Sequence, residues 1–243
     1  MLQIIHGARH SVALESYIFR ADDVGHRFGD AIMSAAKRGV HARILTDWIG
    51  ARGTSRRFLG QLRKNGVELC VFNPPGVRAW LGFLPRDHRK LLVVDESVGI
   101  TGGVGIGWEW LQGVAKQKRA RWRDSAIRIE GPAAGDMAQA FENMWTRAVR
   151  RERRGAHRLL KKKPHGAHLD PDLHAPSLVG IIEGEPWRLR IARALQMQAI
   201  AAERSIWIAS AYFTPSPAEV EALTGAARDG VDVRVLVPSR NDH

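Results

Sequence analysis

One stretch of the sequence, residues 87–107, carries side chains whose types and spacing are typical of a catalytic site. His88 and Lys90 are two residues apart, just before an apolar run at 91–94. Side chains alternate in direction along a strand, so an imidazole and an ammonium at this spacing share one face. Asp95 is an odd number of residues from both and falls on the other face or in the following turn. The pattern predicts a strand that presents His88 and Lys90 together.

An imidazole next to an ammonium is a suitable pair for reactions at phosphorus. Neutral histidine can attack a phosphorus atom, and a lysine can hold a phosphoryl oxygen. The returning strand that we expect at 98–101 ends in Gly102 and Gly103, which let a ligand approach the backbone closely. We therefore assign these two glycines to substrate binding. From the spacing alone, an ordinary basic hairpin with turn glycines is an open alternative.

A carboxylate lies in an earlier apolar segment. The pattern at 11–19 predicts a strand, and Glu15 stands inside it among apolar neighbours. A carboxylate in that position can pair with a basic group of the site, such as a histidine, so we add Glu15 to the substrate-binding set. A glutamate that faces the sheet edge is the alternative.

The spacing His88-x-Lys90-x-x-x-x-Asp95, followed by Gly102-Gly103, resembles the HKD motif of the phospholipase D superfamily. The flanking segments resemble the bacterial cardiolipin synthases of that superfamily, and they lie at 14–19, 86–95, 128–132 and 230–243. The resemblance covers nearly the whole chain. It departs at Gly105, where the family usually has an asparagine that helps to bind phosphate.

The resemblance implies roles for the motif residues. His88, Lys90 and Asp95 would be catalytic, with the histidine forming a phosphohistidine and the lysine holding the phosphoryl oxygens. A second motif would supply another histidine, which protonates the leaving alcohol and then activates the incoming one. The histidines do the chemistry, so the resemblance implies no cofactor and no metal.

The charge of the chain points to anionic partners. The 243 residues carry a formal net charge of +12, with 37 Lys and Arg against 25 Asp and Glu. We expect anionic phospholipid, namely phosphatidylglycerol and cardiolipin, at a membrane surface; nucleic acid suits the charge but not the flanking resemblance. The single cysteine, Cys70, excludes an internal disulfide. With no transmembrane-length apolar run and no signal-peptide pattern, we expect a cytoplasmic protein, peripheral to the inner membrane.

Aromatic and basic segments lie around the motif. For the segment at 77–84 the alternatives are an apolar rim for acyl chains and a packed loop. For Trp108 and Trp110 the alternatives are a cap over the pocket, an anchor at a bilayer interface and packing in the core. Basic residues crowd at 116–123 and 147–163. A linker at 164–176 contains His165, His168 and His174, which we interpret as part of a solvated, anion-binding linker rather than a metal site.

The two ends of the sequence repeat one another. SVALESYIF from Ser11 matches SIWIASAYF from Ser205, and GVHARIL from Gly39 matches GVDVRVL from Gly230. The repeat predicts a second strand–helix–strand unit, which reaches His243 without a His-x-Lys motif of its own. We expect a first phospholipase D-like domain at 1–150, a basic linker at 151–176 and an incomplete second domain at 177–243.

Together these patterns predict an α/β fold: a mixed, largely parallel sheet with helices on both faces, and an incomplete second copy. The function implied by the resemblance is phosphatidyl transfer, which joins two phosphatidylglycerols and releases glycerol. The second histidine would come from a missing C-terminal half or from a homodimer, and the partial repeat favours the missing half. Alternatives are a phosphodiesterase that acts on nucleic acid as a dimer, and an inactive anion-binding fragment.

Overall fold

The computed structural model describes residues 1–74, 86–111, 122–152, 179–184 and 189–239. The strands are β1 (Ser11–Ser16), β2 (His41–Asp47), β3 (Glu68–Phe72), β4 (Lys90–Val94), β5 (Val98–Gly102), β6 (Ala126–Glu130), β7 (Ser205–Ala209) and β8 (Asp232–Leu236). The helices are α1 (Leu2–Gly7), α2 (Asp23–Lys37), α3 (Arg56–Lys64), α4 (Pro132–Glu152), α5 (Arg190–Ile200) and α6 (Pro217–Arg228).

Several predicted segments lie outside the described residues. They are the apolar segment at 77–84, most of the basic runs at 116–123 and 147–163, the histidine-containing linker and His243. The proposed boundaries of the linker at 151–176 therefore stay a prediction.

A six-stranded mixed sheet forms the centre of the first part of the chain, in the order β3-β2-β1-β4-β5-β6. The pairs β1–β2 and β2–β3 are parallel, whereas β1–β4, β4–β5 and β5–β6 are antiparallel. The prediction of a mixed α/β sheet is confirmed, but its largely parallel character is wrong. Parallel neighbours need a long crossover, which the connections through α2 and α3 supply for β1–β2 and β2–β3, whereas β4 and β5 are joined by a tight hairpin.

Helices cover both faces of this sheet, as predicted. On one face, α1, α2 and α3 enclose a core that includes Leu14, Ile32, Ile44, Leu62 and Leu92. On the other face, α4 packs through Met137 and Phe141 against Leu45, Leu91 and Val93. Adjacent strand residues therefore serve opposite cores, and this alternation decides which side chains of β4 are free for chemistry.

The chain divides into two compact units, Met1–Ile181 and Ile182–His243. In the second unit, β7 and β8 are parallel and joined by α6, with Ser205 opposite Asp232. In the first unit, Ser11 is opposite His41, and both pairs lie at matching positions of the sequence repeat. The repeat is thus reproduced down to strand register. Within the second unit, Trp207 and Leu236 are 70% and 71% exposed.

The ends of the first strand of each repeat differ from the prediction. Strands were expected at 11–19 and 205–213, but β1 ends at Ser16 and β7 at Ala209. After Ser16 the chain turns, because the Ser16 hydroxyl donates to the carbonyl oxygen of Ile18 at 2.7 Å. Among the described residues, no helix combines the length and apolar character needed to span a bilayer.

Candidate active site

The first two motif side chains lie together, as the strand pattern predicts. Lys90 Nζ donates to His88 Nδ1 at 3.2 Å and to the His88 carbonyl oxygen at 2.8 Å. Tyr17, which follows β1, contacts both: its ring centroid is 4.4 Å from the imidazole centroid and 5.6 Å from Lys90 Nζ. The imidazole is exposed. An imidazole, an ammonium and a phenol therefore share one accessible surface.

The surroundings of His88 favour its neutral form. Partial burial lowers the pKa of the imidazole, and the Lys90 ammonium lowers it further, while Asp47 and Asp87 act in the opposite direction. Only the neutral ring has a nitrogen lone pair for attack. Burial also lowers the pKa of Lys90, against the opposing effect of Asp124 and Asp87.

The residue between the two, Arg89, points into the opposite core. Its guanidinium donates to both carboxylate oxygens of Glu15, at 2.6 and 2.8 Å, and to the carbonyl oxygen of Ala140 in α4 at 3.1 Å. Glu15 pairs with a basic group, as expected, but that group is Arg89 rather than a histidine, and its burial does not fit the expected contact with substrate. Glu15 is wholly buried, and strand alternation places it under the sheet, facing Arg89 rather than His88.

The residues before His88 are anchored as well. Asp47, at the end of β2, accepts hydrogen bonds from the Asp87 amide at 3.0 Å and the Ile49 amide at 2.8 Å. Arg86 Nη1 lies 3.5 Å from the same carboxylate. The backbone on the N-terminal side of His88 is therefore bound to the carboxyl end of a parallel strand.

Two buried carboxyl groups compete for one guanidinium in this cluster. Burial raises the pKa of Glu15 well above its usual value, and Asp87 raises it further while Arg89 lowers it. Burial likewise raises the pKa of Asp87. Asp87 lies 3.8 Å from Arg89, and its hydrogen bond with Glu15 lowers the pKa of Asp87 while it raises the pKa of Glu15.

Gly103 allows an acidic side chain to lie against the backbone near Lys90. A Cβ atom at Gly103 would come within 2.1 Å of Asp124 Oδ1, so only glycine permits this approach. Gly102, with φ of 155°, ends β5 against the backbone of Ser125. The predicted glycine pair therefore positions Asp124 and the neighbouring strand, and its contact with substrate stays a prediction.

The ring of Trp110 fills the space beside Gly105. A Cβ atom at position 105 would lie 2.6 Å from the indole. The indole N–H donates to Asp124 at 2.6 Å, and the ring contacts Trp122 at a centroid distance of 5.1 Å. The departure at Gly105 is thus matched by a bulky side chain that excludes asparagine there. The ring of Trp110 thus lies beside the motif glycines, and its expected role as a cap of the pocket stays a prediction.

Asp95 lies at the far end of β4 from His88. It occupies the hairpin turn with φ of 52°, and its carboxylate accepts hydrogen bonds from the amides of Arg9, His10 and Ser11 at 2.7–2.9 Å. At about 3.3 Å per strand residue, it is about 16 Å from Lys90. Asp95 therefore holds β4 to the start of β1 and lies apart from His88 and Lys90, which does not fit the catalytic role that the resemblance implies for it.

The sequence pattern did not identify Tyr17, Asp47, Asp87, Arg89 or Asp124 as parts of the site. Two signals were available. Asp87 and Arg89 flank His88 at the alternate spacing, and Asp47 ends an apolar strand next to the strand that precedes Tyr17. Asp124 gave no such signal, because its proximity depends on the pairing of β6 with β5.

Comparison with known proteins agrees with this fold and site. A model of the family "Cardiolipin synthase, PLD-like domain" matches residues 1–145. The cardiolipin synthase of Alkalihalophilus pseudofirmus is 35% identical over 250 residues, which cover 100% of this chain and 47% of the relative. That of a Geobacillus species is 36% identical over 244 residues, which cover 97% of this chain and 46% of the relative.

A solved structure shares the fold at low sequence identity. The phosphatidylserine synthase of Haemophilus influenzae superimposes with a TM-score of 0.65 and 13% identity, over 99% of this chain and 59% of that one. At this identity the likeness shows the fold alone.

These findings define a phospholipase D-like α/β protein. The chain belongs to the cardiolipin synthase family with the PLD-like domain, and the resemblance seen in the sequence is confirmed. Phosphatidyl transfer is the chemistry of that family. The chain spans about half the length of the curated relatives it matches.

We predict that Lys90 and Asp95 serve separable purposes. Asp95→Ala should lower the free energy of unfolding by roughly 2 kcal/mol or more, because three backbone donors lose a charged acceptor. Lys90→Ala should leave stability nearly unchanged but weaken the binding of inorganic phosphate. Urea unfolding and calorimetric titration measure the two effects.

Asp95→Asn is the matched control, because asparagine tolerates the positive φ of this turn and keeps one acceptor oxygen. It should fall between the wild type and Asp95→Ala in stability. Loss of phosphate binding in Asp95→Ala at unchanged stability would reject the assignment.

Gly105 and Trp110 should behave as a coupled pair. Gly105→Asn alone should destabilise the chain by about 1–3 kcal/mol, since the indole has to leave its bond to Asp124. In a Trp110→Ala background the same substitution should cost much less. A double-mutant cycle by urea unfolding measures this coupling, and strictly additive effects would show that the two positions do not compete for space.

Proposed function

We propose that this chain contributes half of a phosphatidyltransferase site, with His88 as the nucleophile. The observation that carries the proposal is the arrangement of His88, Lys90 and Tyr17 on one accessible surface, with the imidazole kept neutral by its surroundings. The family's phosphatidyl transfer supports the phosphorus of a phospholipid as the electrophile. The proposed reaction joins two phosphatidylglycerols to give cardiolipin and glycerol.

In the first half-reaction the imidazole attacks phosphorus. A nitrogen–phosphorus bond forms, the bond from phosphorus to the glycerol oxygen breaks, and that oxygen takes up a proton. Attack requires a ring nitrogen with a free lone pair, so the Lys90 ammonium leaves the ring and binds the phosphoryl oxygens. In this way substrate binding exposes the nucleophile at the moment it is used.

The second half-reaction returns the histidine. A hydroxyl of the second phosphatidylglycerol loses its proton to a base and attacks phosphorus, and the nitrogen–phosphorus bond breaks. His88 is covalently occupied in the intermediate, so it cannot also donate the first proton or accept the second. A further imidazole is therefore needed, and such acid–base help is worth roughly a hundred- to ten-thousandfold in rate.

We propose that this second imidazole comes from a C-terminal half that carries its own His-x-Lys motif. The repeat supports this source over a homodimer, because β7, α6 and β8 reproduce the register of the strands that position the first motif. Trp207 and Leu236 are exposed, and they form an apolar surface on which the proposed C-terminal half could pack. The proposal keeps the domains at 1–150 and 177–243, joined by a basic linker at 151–176.

The chain alone should therefore make little cardiolipin, and a C-terminal half supplied in trans should restore activity. His88→Ala in the restored assembly should lower the rate by orders of magnitude, because a covalent nucleophile is lost. Conversion of radiolabelled phosphatidylglycerol to cardiolipin measures both effects. Retention of more than a few per cent of the rate in His88→Ala would exclude the proposed role.

His6→Ala is the matched control for loss of a histidine. His6 lies exposed at the end of α1 and has no resolved contact with the site. The restored assembly with His6→Ala should be as active as the wild-type assembly. A chain that makes cardiolipin alone, as a monomer by light scattering and at the rate of the assembly, would contradict the half-site proposal.

A further inference from the structure

The connection from β2 to α3, together with the first turn of α3, forms a cationic surface that the proposed chemistry does not use. We call residues 48–57 the arginine loop. It contains Arg52, Arg56 and Arg57, all exposed, and the sequence has no acidic residue from position 48 to 67. Asp47, just before the loop, is fully buried. The positive charge of the arginine loop is therefore not offset by acidic side chains of its own segment.

The same loop exposes apolar side chains. Ile49 is 40% exposed, and the half-buried Trp48 lies under the guanidinium of Arg52, which is 5.3 Å from the centre of its ring. Tryptophan, an exposed aliphatic residue and arginines with apolar stems are the combination favoured at a membrane–water interface. Charge and apolar exposure thus coincide on one short segment.

The arginine loop is held next to the candidate site. Gly50 packs so closely on Tyr17 that a Cβ atom would lie 1.9 Å from its carbonyl oxygen. Arg20 donates to the carbonyl oxygen of Arg52 at 3.3 Å, and the Thr54 hydroxyl donates to that of Phe19. Tyr17 in turn contacts His88. Any partner that binds the arginine loop therefore lies next to the candidate site.

We propose that the arginine loop binds the surface of an anionic phospholipid bilayer. Ile49 and Trp48 enter the headgroup region, and Arg52, Arg56 and Arg57 face lipid phosphates. The proposal deepens the proposed function and rests on it for the lipid substrate, which would reach His88 from the same membrane surface. Nucleic acid fits this surface less well. Arg52 covers one face of the Trp48 ring, which would otherwise stack on a base, and Ile49 has no aromatic ring for such stacking.

Charge reversal tests the arginines. Arg56→Glu/Arg57→Glu should weaken binding to phosphatidylglycerol-containing vesicles by about thirtyfold or more, because each arginine lost accounts for roughly fivefold and each glutamate gained adds repulsion. Acidic residues are favourable in the first turn of a helix, so folding should be preserved. Sedimentation with vesicles at fixed salt measures the affinity, and circular dichroism checks the fold.

The matched control is Arg190→Glu/Arg193→Glu. These arginines are also exposed in the first turn of a helix, α5, and the net charge changes by the same amount. The control should change vesicle affinity much less than the arginine-loop variant. Equal loss in the two variants would overturn the proposal, because binding would then follow net charge rather than this surface.

A single-site label tests the apolar part. The only cysteine, Cys70, is buried, so Ile49→Cys provides one reactive thiol for an environment-sensitive fluorophore. Its emission should shift to the blue with phosphatidylglycerol vesicles and not with phosphatidylcholine vesicles. Gln139→Cys, exposed on α4 across the sheet, should show no shift. An unshifted label at position 49 on sedimented protein would overturn the proposal, as would tighter binding to single-stranded DNA at matched salt.

Failure of the proposed function can be told apart from failure of this surface. His88→Ala leaves the arginine loop intact, so it should bind vesicles like the wild type and show the same fluorescence shift at position 49. If the wild-type restored assembly binds vesicles normally but makes no cardiolipin, only the proposed chemistry is contradicted. Turnover of detergent-dispersed lipid without binding to vesicles would contradict the arginine loop only.

Discussion

The site depends on the alternation of side chains at the start of β4. Asp87 and Arg89 point inward and are bound there, while His88 and Lys90 point outward. Arg89 is fixed by a two-pronged contact with the fully buried Glu15, and removing one partner of a buried ion pair typically costs about 3–5 kcal/mol. The inward ion pair thus sets the strand register, and the register aligns the imidazole with the ammonium.

This arrangement also explains how a basic surface keeps the imidazole of His88 neutral. The buried carboxyls Glu15, Asp87 and Asp47 lie behind the strand, where they bind Arg89, Arg86 and backbone amides instead of the imidazole. Lys90 in front and partial burial lower the pKa of His88. The motif is thus a layered system with acidic groups buried behind it and cationic groups at the surface. Such a surface suits an anion such as a phosphodiester.

Local periodicity was enough to predict the hairpin of β4 and β5, the shared face of His88 and Lys90, and the repeat that β7 and β8 reproduce. These features depend on neighbours along the chain or on matched segments. The partner of Glu15, the proximity of Asp124 and the ring of Trp110 beside Gly105 depend on contacts between distant residues, which a single sequence does not encode locally. The strand directions likewise depend on which distant strands pair: β1 pairs with β4 in an antiparallel direction although 73 residues separate them.

The proposed function requires a covalent bond between His88 and phosphorus. The most direct measurement is peptide mass spectrometry of the restored assembly, mixed with short-chain phosphatidylglycerol and quenched in alkaline denaturant, where phosphoramidates survive. The account predicts a phosphatidyl group on the peptide that contains His88, formed as fast as turnover and absent from His88→Ala. A phosphatidyl group on a different side chain of this chain, or full turnover with no labelling of His88, would contradict it.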